Sequence, residues 1–442
     1  MTDGSYLFRP EFADIQQKIS AENARVRAAS SSYVTVALLD PLTPTRNELT
    51  PEAVRHRLEG AYTALRRVND TSRVVGDPAP QVQLVLANEG STAAQRKQVL
   101  DRLLEMSNQQ EHPLVAVIGL GLSTQQTEQR AMQLSLWGIP MVGALLPADG
   151  LDYEDIPGLI KTSPSNRDYV EALRRYVEST DIDSAVLVRS RDPEGDLYTR
   201  TLADEFRQQM TGLIKFPALQ FTDTAIPAIG ADPGLYASIT ANICVARGNG
   251  LQAVLFAGRK VDLDGFLASL ERRTCRDAPL VILTAVSDLS EIPEGREQRL
   301  QAANLRVVVA ATVDAEGWAR QVAGTPEHYQ DFLTAFQEEG FDAGHLGDAN
   351  AIMMHDALLT ATKALRRAAS SGSPSPVTTT AVRVQLLNLN GEYAVPGASG
   401  TLSFNASSPR TGNPIGKPVP VLQYPRPPDT VSRQVGPLYV TD

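Results

Sequence analysis

The chain has 442 residues, of which 42% are hydrophobic and 21% charged, a composition typical of globular proteins and a length that allows two or three domains. It contains no apolar run of about eighteen residues, so we expect no membrane-spanning segment. The formal net charge of −10 argues against binding to nucleic acid, because phosphate contacts need clustered lysines and arginines.

Apolar runs of strand length alternate with segments of helical periodicity along most of the chain. The predicted strands cover residues 33–39, 82–87, 114–118, 139–143, 185–188, 214–220, 251–256, 280–284 and 305–310. The predicted helices cover residues 51–68, 93–106, 166–177, 198–210, 235–247 and 263–272. This alternation predicts an α/β fold with mostly parallel sheets flanked by helices, in two compact lobes.

The pattern changes after residue 325. Residues 325–367 are mainly helical, with one long helix predicted over 349–368, and a flexible loop is predicted at 369–376. Short strand-like pieces return beyond Gly391, and residues 419–424 are predicted as a last edge strand.

The turn after the 114–118 strand has the composition of a ligand-binding loop. Gly119-Leu-Gly121 turns the chain, and Ser123 opens a helix in which Gln126, three residues later, fits a capping box. A helix N-terminus at the carboxyl end of a parallel strand favours an anionic group, because its free N–H groups point outward. The pattern therefore predicts a small-molecule pocket.

The two cysteines, Cys244 and Cys275, are predicted to lie at the same amino-terminal edge of a sheet. A disulfide is geometrically possible there, and two separate buried thiols are an equal alternative. The first residues, MTDGSYLFRPEF, show no secretion signal.

Motifs of catalysis are missing from the sequence. There is no Gly-x-Ser-x-Gly elbow and no Walker A loop, and none of the five histidines forms an H-x-x-x-H pair. His355 and Asp356, inside the long helix, are interpreted as a packed or surface pair. We therefore expect a protein that is not an enzyme, with no catalytic residue, no metal ligand and no cofactor.

A set of segments, in this order, resembles the type 1 periplasmic-binding fold, and more specifically the branched-chain amino-acid-binding proteins of ABC importers and the related ligand-binding domains of receptors. The resemblance covers roughly residues 31–424. Its segments are VIGLGLSTQQTEQRAM, IPMVGALLPADGL, GLIKTSPSNRDYVEAL, DPEGDLYTRTLADEF, LQAVLFAGRKVDLDGFLASL, GDANAIMMHDALLTATKAL and VPGASGTLSF.

The resemblance implies two Rossmann-like lobes joined by three crossovers. Lobe I would comprise residues 31–163 and 313–388, and lobe II residues 164–312 and 389–424, with 1–30 as an N-terminal extension and 425–442 as a C-terminal tail.

It also implies a function: an extracytoplasmic solute-binding protein or domain, at the cell surface or in the periplasm. Such a protein would close by hinge motion on a small polar ligand, an amino acid or related carboxylate. Its partner would be an ABC permease or a membrane-anchored signalling protein, with no nucleic acid and no membrane insertion by this chain. The alternative is a protein-interaction module that kept the fold and lost small-molecule binding.

In lobe I the resemblance assigns ligand contacts to two loops. Ser123 and Thr124 match a Ser/Thr-rich turn that holds a ligand carboxylate, although Ser123 has the alternative role of helix cap. Leu146 and Asp149 match the second loop, which here is more apolar than the family pattern.

In lobe II the resemblance points to four residues. Asp196 would bind an ammonium group or cap the next helix, and Tyr198 would stack on the ligand or pack on its own helix. Arg259 stands where branched-chain binders carry a tyrosine, and would pair with a carboxylate or lie solvated on the surface. Asp288 is the acid nearest to the strand end where the family holds an α-ammonium group.

Overall fold

The chain divides into two compact units. A computed structural model describes residues 1–29, 32–43, 49–70, 72–76, 79–89, 93–191, 195–222, 236–285, 295–370, 377–406, 410–428 and 430–442. Unit 1 comprises Met1–Ser163, Pro326–Lys417 and Asp442, and unit 2 comprises Pro164–Thr325 and Pro418–Thr441.

Helices and strands alternate in both units. The helices are α1 Ala13–Ala29, α2 Pro51–Asp70, α3 Ser72–Val75, α4 Ala93–Ser107, α5 Gln125–Leu136, α6 Asn166–Glu178, α7 Leu197–Gln209, α8 Ala237–Arg247, α9 Lys260–Leu270, α10 Arg296–Ala302, α11 Ala315–Ala319, α12 Tyr329–Glu338, α13 Asn350–Ser370 and α14 Thr379–Leu386. The strands are β1 Tyr33–Asp40, β2 Gln81–Asn88, β3 Leu114–Gly119, β4 Met141–Gly143, β5 Leu159–Lys161, β6 Ala185–Ser190, β7 Leu219–Phe221, β8 Ala253–Ala257, β9 Leu280–Ala285, β10 Leu305–Ala310, β11 Val395–Gly397, β12 Gly400–Leu402, β13 Pro418–Val419, β14 Val421–Tyr424 and β15 Tyr439–Val440. In the part of the chain that the structure describes, no helix is long and apolar enough to cross a membrane.

The main sheet of unit 1 is parallel, with the order β2-β1-β3-β4-β5. All six residues of β3 are buried, without the alternation of a one-sided strand. A strand covered on both faces by helices has this pattern, so the continuous apolar run of the sequence encodes a central parallel strand.

The outer edge of β2 is closed by groups that do not belong to a strand. Asn69 bonds both backbone groups of Val82, and the backbone of Thr2 bonds both backbone groups of Leu86. At the opposite edge, the backbone N–H of Lys161 donates to the Gly412 carbonyl over 3.0 Å. These contacts occupy backbone groups that strand addition would need at each edge.

Helices α2 and α13 pack closely against each other at Gly60. A Cβ atom built on Gly60 would lie 1.9 Å from the Ala351 carbonyl oxygen. Glycine is therefore required there for a close approach of two helices, and not for a turn.

Unit 2 contains a second sheet, with the order β14-β10-β9-β8-β6-β7. Its strands are parallel except β14, which pairs antiparallel with β10 at the edge. The predicted edge strand at 419–424 is thus confirmed for residues 421–424, whereas Val419 belongs to β13, which pairs with β15. Buried apolar clusters cover both faces of the sheet.

A disulfide bond joins Cys244, in the last turn of α8, to Cys275, which precedes β9. Their Cα atoms are 5.5 Å apart. Of the two alternatives left open by the sequence, the structure contains the bonded one, at the amino-terminal edge of the sheet.

The units differ from the predicted lobes in two segments: residues 313–325 lie in unit 2, and residues 389–417 lie in unit 1. The second difference has a clear physical cause. Asp356 on α13 accepts hydrogen bonds from the backbone N–H groups of Ala398 and Ser399 and from the Ser399 hydroxyl, all buried. Lys417 donates to the Ser399 hydroxyl and to the Thr162 carbonyl. These contacts hold the β11–β12 hairpin and the chain after it on unit 1.

Candidate functional site

The turn after β3 is held in place by a buried ion pair. Arg57 donates from Nη1 to both carboxylate oxygens of Asp40 over 3.1 Å, and from Nε to the Asn350 side chain over 2.7 Å. The Asp40 carboxylate accepts the backbone N–H of Gly121 over 2.7 Å, and Arg57 donates to the Gly121 carbonyl. The Arg57 guanidinium and the Asp40 carboxylate are both buried, and each makes several hydrogen bonds. Because two of these bonds are to the backbone of Gly121, the ion pair holds the turn in one conformation.

Thr124, and not Ser123, caps the helix that follows this turn. Helix α5 begins at Gln125, and the Thr124 hydroxyl accepts the backbone N–H of Thr127 over 3.2 Å. The predicted capping box of Ser123 with Gln126 is therefore wrong. The Ser123 hydroxyl is buried and accepts the backbone N–H of Ala148 over 3.2 Å, because the loop after β4 lies against the turn.

Several hydrogen bonds hold the loop after β4. In addition to the contact from Ser123, the Lys161 ammonium group donates to the Ala148 carbonyl over 2.9 Å, and the backbone N–H of Leu146 donates to the Ser163 hydroxyl over 3.0 Å. The Leu146 side chain is fully buried within unit 1, whereas Asp149 is half-buried. The apolar character of this loop in the sequence thus reflects packing of its leucines into the core.

In unit 2, Asp196 and Arg259 form a bidentate ion pair. Arg259 Nε lies 2.6 Å from Asp196 Oδ2, and Nη2 lies 2.9 Å from Oδ1. Asp196 also caps α7 by accepting the backbone N–H of Thr199 over 3.2 Å. The pair joins the segments that follow β6 and β8, which are neighbouring strands, so parallel pairing brings these two distant residues to the same edge.

Tyr198 completes this group. Its hydroxyl donates to the Ala285 carbonyl at the end of β9, and the Arg259 guanidinium lies 5.5 Å from the centre of its ring. Burial raises the pKa of the Tyr198 hydroxyl far above its usual range, so the phenol stays protonated and acts as a donor. The ring supports the guanidinium through a cation–π contact.

The structure therefore arranges the predicted residues in two groups, one in each unit. In unit 2, Arg259 contacts both Asp196 and Tyr198. In unit 1, Ser123 contacts the loop that carries Leu146 and Asp149, beside Thr124. Asp288 lies outside the described residues.

Sequence reasoning missed the polar residues that hold these loops, above all Asp40, Arg57, Lys161 and Ser163. One signal was available: Asp40 and Lys161 are charged residues that end buried strands. A buried charged group is costly unless it is paired or hydrogen-bonded, so a charged residue at the end of a buried strand predicts a polar contact at the same sheet edge.

The two groups consist of charged and hydrogen-bonding side chains. They offer a guanidinium, carboxylates, hydroxyls and a helix N-terminus at the carboxyl ends of parallel strands. Among the described residues, no group of three or more His, Cys, Asp or Glu side chains could hold a metal ion.

Two units, each with a parallel sheet core flanked by helices, are the architecture that the resemblance to the type 1 periplasmic-binding fold implies. No protein-family model matches the sequence, and no curated protein matches it. Solved structures do match.

An ABC transporter substrate-binding protein from Desulfitobacterium hafniense aligns with 92% of this chain and 100% of its own length, at a TM-score of 0.63 and 15% identity. The branched-chain amino-acid transporter substrate-binding protein LivJ from Streptococcus pneumoniae, in complex with isoleucine, aligns with 93% of this chain and 99% of its own, at a TM-score of 0.60 and 15% identity. A solute-binding protein of an ABC transporter from Rhodopseudomonas palustris BisB5, in complex with 3,4-dihydroxybenzoic acid, aligns with 93% and 97%, at a TM-score of 0.63 and 13% identity. The chain shares its fold with these substrate-binding proteins.

Proposed function

We propose that this protein is a non-enzymatic solute-binding protein that works outside the cytoplasmic membrane. It captures a small polar ligand, an amino acid or a related carboxylate, between its two units by hinge closure. An ABC permease or a membrane-anchored signalling protein then reads the closed state.

The observation that carries the proposal is the convergence of Asp196, Tyr198 and Arg259 at the carboxyl ends of β6, β8 and β9. Partly buried charged groups at this edge of an α/β sheet are the arrangement that small polar ligands use. The structural neighbours support the same reading, since one was solved with isoleucine and another with 3,4-dihydroxybenzoic acid.

A ligand screen by thermal unfolding tests the proposal. A ligand present at about 100 times its dissociation constant stabilises the folded state by about 2.7 kcal/mol, which is a shift of several degrees. The screen should include isoleucine, other amino acids, 3,4-dihydroxybenzoate and aliphatic carboxylates, with mass spectrometry of any small molecule that copurifies.

The matched variants are Arg259→Gln and Arg207→Gln. Arg207 is exposed on α7, where it pairs with Asp204, so its loss should leave a ligand-induced shift unchanged. Loss of Arg259 should reduce the shift. No stabilisation by any compound, together with no copurified ligand, would contradict the proposed function.

Hinge closure is tested by a separate experiment. Small-angle X-ray scattering with and without a stabilising ligand should give a smaller radius of gyration for the liganded protein. An unchanged radius at saturating ligand would contradict closure while leaving ligand binding intact.

One observation favours the alternative of a protein-interaction module. The Ser123 hydroxyl already accepts a hydrogen bond from the Ala148 backbone, and Leu146 is buried. Unit 1 therefore uses, within its own loop, a hydroxyl that the resemblance assigns to ligand binding. Substitution of Ser123 and Thr124 by alanine separates the readings. If a protein partner binds this double variant as tightly as the native chain, and no ligand stabilises the native chain, the result supports the protein-interaction module.

A further inference from the structure

The Asp196–Arg259 pair is shielded from solvent before any ligand arrives. The Arg259 side chain is 18% exposed and that of Asp196 is 11% exposed. Asp196 approaches the edge of the guanidinium formed by Nε and Nη2, which is an edge that an incoming carboxylate would use for a bidentate contact.

Asp196 is also held where it is. Its Oδ1 accepts the backbone N–H of Thr199 as the cap of α7, and the Tyr198 ring supports the guanidinium from the side. A ligand carboxylate therefore competes with an intramolecular carboxylate that is already in position.

The charge balance of the pair separates two classes of ligand. A ligand whose only charge is a carboxylate would place two anions against one guanidinium, and the displaced Asp196 would stay partly buried without a cation. A zwitterionic amino acid brings an ammonium group together with its carboxylate. Both Asp196 and Arg259 then keep an opposite charge beside them.

We propose that Asp196 determines the charge class of the ligand: by occupying Arg259 it selects zwitterionic amino acids over ligands that carry only a carboxylate. This inference rests on the proposed function and narrows it. Unit 2 would thus exclude aromatic and aliphatic acids by an unfavourable charge balance, without any steric barrier.

The test compares isoleucine with 3-methylpentanoate, which has the same carbon skeleton without the amine, and with 3,4-dihydroxybenzoate. Dissociation constants are measured by calorimetry for the native protein, Asp196→Asn and Asp204→Asn. Asparagine keeps the size and the capping oxygen of Asp196 and removes its charge. Asp204 lies on the same helix in an exposed ion pair with Arg207, so Asp204→Asn is the matched control.

The native protein and the control should bind isoleucine at least about tenfold more tightly than either carboxylate, the factor that one charged hydrogen bond provides. Asp196→Asn should shift this preference toward the carboxylates by about tenfold or more. If Asp196→Asn does not fold, Asp196→Ser keeps a capping hydroxyl and makes the same change of charge.

An unchanged preference in the variant, or a native protein that prefers the carboxylates, overturns this inference alone. No binding of any probe by any of the proteins, together with no stabilisation in the wider screen and no copurified ligand, overturns the proposed function and, with it, the premise of the inference.

Discussion

The carboxamide of Asn23 completes the backbone hydrogen bonds of Leu84. Its Nδ2 donates to the Leu84 carbonyl over 2.7 Å, and its Oδ1 accepts the Leu84 N–H over 2.9 Å. Asn23 is fully buried on α1, and Leu84 lies in the edge strand β2. A single side chain thus takes the place of a neighbouring strand, as Asn69 does two residues earlier at Val82.

Asn23→Ala should destabilise unit 1. The substitution leaves the buried N–H and the buried carbonyl of Leu84 without the Asn23 side chain, and each unsatisfied group costs about 1–3 kcal/mol. Chemical unfolding should show a loss of about 2 kcal/mol or more. Asn108→Ala, at an exposed site, is the control. A variant as stable as the control would contradict this account.

Gly60→Ala should be strongly destabilising although alanine has the higher helix propensity. Propensity alone predicts a gain of about 1 kcal/mol. The new methyl group would meet the Ala351 carbonyl at a distance no real contact allows, so α2 and α13 must separate. Thermal unfolding should show a marked fall in melting temperature, whereas Gly212→Ala, where nothing lies within 4 Å of the new atom, should change little. Equal effects of the two substitutions would argue against close helix packing.

Lys417 should make folding stability depend on pH above neutrality. Burial lowers the pKa of its ammonium group from 10.5 to about 7, against the smaller opposing effect of Asp356. Between these pH values the unfolded chain holds a proton that the folded protein lacks, so stability rises with pH by about 1.4 kcal/mol per pH unit. Below about pH 7 both states are protonated and this contribution is constant.

The measurement is the difference in unfolding free energy between the native protein and Lys417→Met from pH 7 to pH 9.5. Tyrosines and other groups titrate in both proteins, and the difference isolates Lys417. Lys97→Met, at an exposed pair with Asp101, should follow the native protein. Parallel pH profiles for the native protein and Lys417→Met would show that Lys417 keeps its proton in the fold.

Replacement of Cys244 and Cys275 by alanine should lower the unfolding free energy by about 4 kcal/mol in the loop-entropy account. The two cysteines are 31 residues apart in sequence, so the bond removes freedom from a substantial loop of the unfolded chain. Denaturant unfolding of the oxidised, reduced and double-alanine proteins gives the value. Identical stability in all three would contradict a stabilising disulfide.

The sequence predicted the central strands well because their signal is local. Residues 305–310 were predicted as a strand and form β10 with those bounds, since a run of buried apolar residues suffices to define it. Helix α1 was not predicted, because residues 1–30 lie outside the family resemblance. Its buried positions include Gln16, Glu22 and Asn23, which an apolar periodicity does not reveal.

The candidate site was predicted residue by residue but not as a set of contacts. The sequence leaves two separate roles open for Asp196 and two for Arg259, whereas the structure joins these residues across 63 residues of chain. That pairing depends on β6 and β8 being neighbours, which no local pattern contains. Ser123 shows the same limit: a Ser-x-x-Gln spacing fits a cap, yet the approach of the loop at Ala148 decides where its hydroxyl points.

The disulfide and the charged pair of unit 2 lie at opposite ends of the same strands. Cys244 and Cys275 precede β8 and β9, whereas Arg259 and Ala285 stand where those strands finish. Reduction of the bond therefore acts on the loops that enter the sheet, and not on the Asp196–Arg259 pair at the far end. We expect reduction to lower the stability of unit 2 while this ion pair stays in place.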